Sequence, residues 1–274
     1  MRNLTLSKAV HRLILVATTI CILFPIYWML VLAFTKLGMS RSVEGFYPAS
    51  LTFNNFTQLF TERPMLRWLL NSALVASISS ALSLLIGTSA GYALSRLHFR
   101  GAGLIMILIL VTQMMPPTAI VVPIYDLFRQ LGMLNTIQGV TLGHISLVIP
   151  LAVWMTKGYF DSIPLDLENA ARIDGCTRLA AFWHVALPLA SPGLIVVFIY
   201  GFVTSWHEFL FARTLVSQQE LWTGAVGLGS FRGEFFTLFE PQMAASVVFS
   251  VPVVLVFMFL QRRLISGGLA GGVR

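Results

Sequence analysis

Residues 68–95 have the sequence WLLNSALVASISSALSLLIGTSAGYALS, which contains no Asp, Glu, Lys or Arg. A helix needs about 20 consecutive apolar residues to cross the hydrocarbon core of a bilayer, so this stretch is long enough to form a membrane-spanning helix. Five more charge-free stretches lie at 13–34, 101–125, 130–156, 179–207 and 242–261. The sequence therefore predicts an all-α, polytopic membrane helix bundle with six transmembrane helices.

The composition of the whole chain agrees with this class. Hydrophobic residues make up 57% of the 274 positions and charged residues 11%, against roughly 25% charged residues in soluble globular domains. The apolar stretches leave no room for a separate soluble domain, so we predict a single transmembrane domain, 1–274. The basic residues flank apolar stretches instead of forming a stripe, so their excess indicates membrane orientation and not a nucleic-acid partner.

The loops differ in their content of basic residues. With the N-terminus in the cytoplasm, 11 of the 18 Lys and Arg residues lie on the cytoplasmic side. Cytoplasmic loops of membrane proteins carry such an excess, so we predict cytoplasmic N- and C-termini. This orientation places loop 157–185 inside and two long loops, 35–67 and 208–241, outside.

The first apolar stretch follows Arg2, Lys8 and Arg12 and would also suit a secretory signal peptide. It is about twice as long as the apolar region of a signal peptide, and it lacks an A-x-A-like cleavage site. We therefore expect an uncleaved first helix.

Small residues recur every three or four positions in the stretch 68–95: Ala76, Ser80, Ser83, Gly87 and Gly91. Residues at this spacing share one face of a helix, and small side chains let neighbouring helix backbones approach closely. We expect this face to pack inside the bundle.

Two consecutive prolines, Pro116 and Pro117, lie within the third stretch. A proline lacks the backbone N–H and leaves a carbonyl without its partner, so we expect a kink and a bent helix at this point. The turn-forming residues Gly132 and Asn135 follow, and they place the start of the fourth helix near Ile137.

Residues 161–175, between the fourth and fifth stretches, have the sequence DSIPLDLENAARIDG. The pattern predicts a short helix with Ser162 or Ile163 at its N-cap, Pro164 in its first turn and Gly175 as its terminator.

One face of this short helix is suited to contact with a partner. It carries Leu167, Ala170, Ala171 and Asp174. The small alanines leave a shallow surface, and we expect Glu168, Arg172 and Asp174 to provide charges at its rim. The same pattern would also fit an ordinary helix of an interfacial loop.

The segment Glu168-Asn-Ala-Ala-Arg-Ile-Asp-Gly175, followed by Leu187-Pro188, resembles the EAA motif of permease subunits in ATP-binding-cassette (ABC) importers. Asn169 stands where a second acid is often found in that motif. Further segments resemble the maltose-type, MalG-like carbohydrate permeases: Asn71-Ser72, Gly91–Arg96 with Phe99–Gly101, Pro116-Pro117 with Pro123–Tyr125, and Trp206–Leu210.

The resemblance implies a type I ABC importer permease for a sugar or sugar-like solute in a bacterial or archaeal inner membrane. Its partners would be a second permease in a heterodimer, two ATPase subunits that bind ATP and Mg, and an extracytoplasmic solute-binding protein reached by loop 217–240. This chain itself would hold no cofactor and would not be an enzyme. ATPase-coupling residues would be Glu168, Asn169, Ala170, Ala171, Asp174 and Gly175.

Polar and aromatic side chains within the apolar stretches are candidates for a solute pathway, since such groups are costly against lipid. The candidates are Gln113, Thr204, Ser205, Trp206, His207 and Glu208. The alternative is packing: Gln113 would bond across helices, and Trp206 would anchor the helix at the membrane interface.

Other chemistry finds little support in the sequence. No lysine stands in a G-K-[ST] phosphate loop, and the five histidines are too dispersed for a metal site, so we expect His144 to be a packed polar residue. We also expect Cys21 and Cys176 to be free thiols. An ion-coupled secondary transporter of a small polar solute remains the main alternative, and an intramembrane enzyme is a third.

Overall fold

The computed structural model describes residues 2–39, 47, 50–97, 99–233 and 239–271, with side chains described between residues 10 and 261. Within these ranges the regular secondary structure is helical, joined by turns and short irregular segments, and Thr35 and Leu51 form an isolated antiparallel bridge. The α-helices in chain order are α1 (Arg2–Ala33), α2 (Asn54–Thr61), α3 (Met65–Arg96), α4 (Ala102–Met114), α5 (Pro117–Gln130), α6 (Ile137–Asp161), α7 (Leu165–Ile173), α8 (Arg178–Ala181), α9 (Leu187–His207), α10 (Leu210–Leu215), α11 (Gly224–Gly229) and α12 (Phe239–Gly271).

Five helical segments of the described chain are long and apolar enough to cross a membrane: Val10–Ala33, Met65–Arg96, Ile137–Asp161, Arg178–His207 and Phe239–Gln261. Helices α4 and α5 meet the same test only when taken together, and they give a sixth span if the bent pair counts as one. The predicted all-α membrane bundle is confirmed, with five or six spans.

The third predicted span is broken instead of bent. The axes of α4 and α5 differ by 99°. A proline pushes the residue before it out of the helical region, and here Met115 precedes Pro116 while Pro116 precedes Pro117. Both Met115 and Pro116 are extended, with ψ of 129° and 133°. Two adjacent residues therefore leave the helix, and the kink that we predicted is a complete interruption.

The turn before α6 has the predicted form. Gly132 and Asn135 adopt positive φ, +67° and +54°, and Thr136 caps the new helix by accepting a hydrogen bond from the Gly139 N–H at 3.0 Å. The start of the fourth predicted span at Ile137 is confirmed.

The chain divides into two compact units, Met1–Leu66 with Leu228–Val251 and Arg67–Gly227 with Pro252–Arg274. In the first unit, the Asn55 side-chain amide donates to the carbonyls of Ala33 and Thr35 at 2.8 Å and fastens α2 to the end of α1. The prediction of a single domain, 1–274, stays a prediction.

The small-residue face of α3 packs inside the second unit, as predicted. A Cβ atom on Gly87 would stand 2.9 Å from Ala152 Cβ, and one on Gly91 would collide with Thr156. The Thr156 hydroxyl donates to the Gly87 carbonyl at 2.6 Å. Helices α3 and α6 therefore touch backbone to backbone, which fixes the position of Arg96 at the end of α3.

Candidate functional site

Helix α7 forms within the segment 161–175, with a later start than predicted. Pro164 is its N-cap, whereas Ser162 ends α6 as that helix's C-cap. The reason is again a proline: Ile163 precedes Pro164, which disfavours a helical Ile163. At the other end Gly175 has φ of +96°, a conformation that favours glycine, so its predicted role as terminator is confirmed.

The predicted partner face of α7 points away from the rest of the protein. Leu167, Ala170 and Asp174 are exposed, and Ala171 is half-buried. Ile173, which the sequence analysis did not single out, is 86% exposed next to this face. The exposed side of α7 is therefore apolar at its centre, where the small side chain of Ala170 lies between the larger Leu167 and Ile173.

Glu168 is not a rim charge, contrary to the prediction. It is 4% exposed, and its carboxylate accepts hydrogen bonds from Arg96 Nε at 2.6 Å and from the Tyr92 hydroxyl at 2.7 Å. Arg96 Nη2 also donates to the Ile163 carbonyl at 2.9 Å. We call these three side chains the latch. It bonds α7 and the turn before it to the last two turns of α3.

A second polar link lies close to the latch, and we call this end of the spans the Arg96 end. The Ser95 hydroxyl donates to Asp161 Oδ1 at 2.6 Å, and Lys157 Nζ pairs with Asp161 Oδ2 at 2.5 Å. Helices α3 and α6 are thereby joined where α7 begins. A displacement of α7 must act on both helices, because neither link can stretch without losing a charged hydrogen bond.

The remaining predicted coupling residues have different environments. Asn169 is half-buried and lines a cavity beside α7, whereas Asp174 and Gly175 are exposed at its end. The structure thus separates an inward set, Glu168 and Asn169, from an outward set. Their role in ATPase coupling stays a prediction.

The six predicted pathway residues do not form one group. Gln113 Nε2 donates to the Leu147 carbonyl at 3.1 Å, which links α4 to α6. Thr204 is half-buried, and the His207 ring bonds back to the Val203 carbonyl of its own helix at 3.0 Å. Trp206 is 1% exposed and stacks on Phe202, so it is a packed side chain and not an interfacial anchor.

Ser205 and Glu208 meet at His144, a histidine that sequence reasoning treated as an isolated packed residue. His144 Nδ1 lies 2.7 Å from the Ser205 hydroxyl, and Nε2 lies 3.0 Å from Glu208 Oε2. The Glu208 carboxylate also accepts the N–H groups of Phe211 and Ala212 at 2.9 and 3.0 Å. We call this the outer network. It joins α6, α9 and α10, and any role of its members in solute passage stays a prediction.

The environment of Glu208 shifts its acidity. Burial by itself raises the pKa of this carboxyl, but the bond to His144 and its charge, with the two backbone N–H groups, outweigh burial and hold the pKa below its ordinary value. Glu208 is therefore an anion at neutral pH, fixed at the first turn of α10.

The segment that follows α10 is fastened to the start of α3. Trp68 Nε1 donates to the Gln219 carbonyl at 2.9 Å, and the Asn71 side chain donates to the carbonyls of Glu220 and Trp222, both at 2.9 Å. Residues 217–227 are thus not a free arm of the predicted loop 217–240. Their polar side chains are exposed at 217–220, while residues 234–238 lie outside the described part of the chain.

The described residues include no group of three or more His, Cys, Asp or Glu side chains that could hold a metal ion. Both cysteines are free thiols, as predicted.

The fold matches that of solved ABC importers. A bacterial ABC transporter involved in the import of the acidic polysaccharide alginate superposes with a TM-score of 0.79 at 22% identity, covering 96% of this chain and 98% of that chain. The MetNI methionine ABC transporter gives a TM-score of 0.63 at 16% identity, covering 74% and 95%. The chain therefore has the fold of the transmembrane subunit of an ABC importer.

Residues 83–267 match the family described as "Binding-protein-dependent transport system inner membrane component", and the chain belongs to this family. It is 38% identical to the sulfoquinovosyl glycerol transport system permease of Agrobacterium fabrum, over 92% of this chain and 89% of the relative. It is 32% identical to the diacetylchitobiose uptake permease of Streptomyces coelicolor, with 92% of each covered. It is 31% identical to the trehalose/maltose permease of Thermococcus litoralis, covering 100% and 99%.

Family membership confirms the resemblance that the sequence motifs indicated. The chain is a multi-pass inner membrane permease, and the family is one of transport components and not of enzymes. The comparisons favour an ABC importer permease over an ion-coupled transporter.

Proposed function

We propose that this chain is one of two permease subunits of an importer for a sugar or sugar-like solute, driven by ATP that separate subunits bind with Mg and hydrolyse. The sugar is supported by the relatives, whose names cite sulfoquinovosyl glycerol, diacetylchitobiose and trehalose/maltose. The inference that a separate ATPase subunit drives transport rests on helix α7. This helix has an exposed apolar face on one side and the buried, charged latch on the other.

Helix α7 contacts the ATPase and moves when the ATPase changes conformation. Its outward face offers Ala170 with Leu167 and Ile173 exposed beside it, so another protein can approach the helix closely. Its inward side is bonded through Glu168 to Arg96 and Tyr92. A pull on the outward face is therefore transmitted to α3 and, through Asp161, to α6, and the spans change the side on which the solute cavity opens.

The orientation that fits this mechanism places the Arg96 end and both termini in the cytoplasm. Basic residues collect at that end of the spans, and we take them to stay on the cytoplasmic side during insertion: Arg96, Arg100, Lys157, Arg172 and Arg178. The exposed residues 217–220 then face outward, where a solute-binding protein would dock. A second, different permease would complete the pathway as a heterodimer.

Transport by the purified complex tests this function. In proteoliposomes that contain the chain with its native partners, we expect internal ATP to drive uptake of a labelled disaccharide presented with the binding protein. A proton or sodium gradient without ATP should drive none. Uptake under an ion gradient alone would identify a secondary transporter and refute the proposal.

A further inference from the structure

A cavity of about 530 Å³ lies between α7 and the Arg96 end of α3. Three arginines line it, Arg96, Arg172 and Arg178, and Glu168 is the acid among its described lining residues. A concave site with this excess of positive charge in low-dielectric surroundings attracts anions.

The excess of positive charge at the cavity remains because the acid, Glu168, is already paired with Arg96. Glu168 accepts from Arg96 and Tyr92 in the latch, so these charges balance each other. In the described ranges of the chain, neither Arg172 nor Arg178 has an acidic group within ion-pair distance, and the ion pairs formed there involve other residues. Two guanidinium groups at the cavity are thus available, and their planar forks suit phosphate oxygens.

The other wall of the cavity is apolar. Leu97, Leu165 and Leu179 line it and are 43%, 46% and 68% exposed. A small inorganic anion would leave these side chains against water, whereas a molecule with an anionic head and apolar chains would cover them. The hydrophobic effect favours the second kind of ligand.

The depth of the cavity agrees with a lipid. Arg96 is the last residue of the apolar segment Met65–Arg96, and Arg178 is the first residue of Arg178–His207. Both segments are longer than the roughly 20 residues that cross the hydrocarbon core, so both arginines stand beyond the core, on the side of the polar head groups. Basic pockets between membrane helices on the cytoplasmic side bind the head groups of anionic lipids.

We propose that this cavity binds an anionic phospholipid of the cytoplasmic leaflet. The phosphate lies between Arg172 and Arg178, and an acyl chain covers Leu97 and Leu179. The proposal rests on the orientation given under the proposed function. Because Arg172 belongs to α7 and Leu97 directly follows α3, the bound lipid bridges the coupling helix and the span that the latch connects to it.

Native mass spectrometry of the whole transporter complex tests this site. We expect the wild-type complex to retain added phosphatidylglycerol in preference to phosphatidylcholine. Replacing one arginine, Arg172→Gln or Arg178→Gln, should weaken retention about fivefold, and the double variant should weaken it more, because each basic residue contributes about a factor of five near a membrane surface. Arg100→Gln removes an exposed charge that does not line the cavity and should leave retention unchanged.

Four results would overturn the site. The first is that the double variant retains as much phosphatidylglycerol as the wild-type complex, and the second is that the wild-type complex retains phosphatidylcholine as well as phosphatidylglycerol. The third is that millimolar inorganic phosphate displaces phosphatidylglycerol. The fourth is that the double variant loses the ATPase while its lipid retention is unchanged. The third would assign the cavity to a free anion and the fourth to a protein contact. The outcome is independent of the transport assay, since a complex can import sugar with ATP and retain no lipid.

Discussion

Glu168 shows why a single residue of the latch matters for stability. A buried charge is costly unless it is paired, and removing one partner of a buried pair leaves the other charge uncompensated. Arg96 would be left in this state, because its side chain is 10% exposed and Glu168 is its acidic partner.

We predict that Glu168→Ala destabilises the complex by about 3–5 kcal/mol, measured as a lower thermal midpoint in detergent. Asp166→Ala is the matched control, because Asp166 is an exposed acid in the same first turn and should cost at most about 1 kcal/mol. In a double-mutant cycle, Arg96→Ala added to Glu168→Ala should cost less than the sum of the two single changes. Strict additivity would show that the latch does not exist in solution.

Two glycines differ in how closely the rest of the protein packs against them. Gly87 lies against Ala152, where a Cβ would come within 3.0 Å of the backbone carbon, while Gly158 has nothing within 4 Å of its Cβ position. We predict that Gly87→Ala lowers stability by about 1–3 kcal/mol through overpacking. Gly158→Ala should be neutral or stabilising by up to about 1 kcal/mol, because alanine favours the helix. Equal midpoints for both variants would contradict the close contact of α3 and α6.

The residue types at these positions were readable from the sequence, but their partners were not. The small-residue spacing of α3 predicts a packed face, and the structure has one. Glu168, in contrast, was expected at a rim because helix periodicity alone does not say which face is buried. Its partners Arg96 and Tyr92 are more than 70 positions away in the chain, and such distant pairings depend on the packing of whole helices.

At the scale of elements, α10 depends on the outer network. The carboxylate of Glu208 satisfies two N–H groups at the start of α10 and reaches His144 of α6. Its pKa is lower in the folded protein than the ordinary 4.5. The network therefore contributes its full stability above pH 4.5 and loses it as the pH falls through the lower, folded pKa.

We predict that the thermal midpoint of the wild-type complex drops more steeply below pH 4.5 than that of Glu208→Gln, which carries no titrating group at this position. Near neutral pH the variant should already be less stable, by about 1–3 kcal/mol, since it weakens charge-assisted hydrogen bonds. Glu220→Gln changes an exposed acid in the same region and should follow the wild-type curve. Parallel curves for Glu208→Gln and wild type would show that the network does not stabilise α10.

The elements differ in how far their sequence determines them. Charge-free stretches predict the spans well because a bilayer tolerates few charges, and Asn135 and Thr136 fix the start of α6 through local turn and cap chemistry. The break at Met115 was underestimated as a kink, because each proline acts on the residue before it and the two effects fall on neighbours. The bonds that fasten residues 219–222 to Trp68 and Asn71 were not predicted, because they join residues about 150 positions apart in the chain.

At the scale of the whole molecule, the proposed mechanism divides the work between this chain and its partners. The permease supplies a set of apolar spans joined by polar links, and the proposed ATPase supplies the force at α7. Family membership and fold support the first part directly. The second part depends on whether the outward face of α7 is covered by another subunit when the transporter works.

Substitutions at Ala170 test directly whether another subunit covers the outward face of α7. The Ala170 side chain is exposed, so a larger residue there meets no part of the chain's own core. In proteoliposomes with all partners present, we predict that Ala170→Arg lowers ATP-driven sugar uptake at least about tenfold, equivalent to about 1.4 kcal/mol or more, and releases the ATPase from the purified complex. Ala170→Ser, which keeps the side chain small, should retain both properties. Wild-type uptake and ATPase retention by Ala170→Arg would contradict the claim that α7 receives the work of ATP hydrolysis.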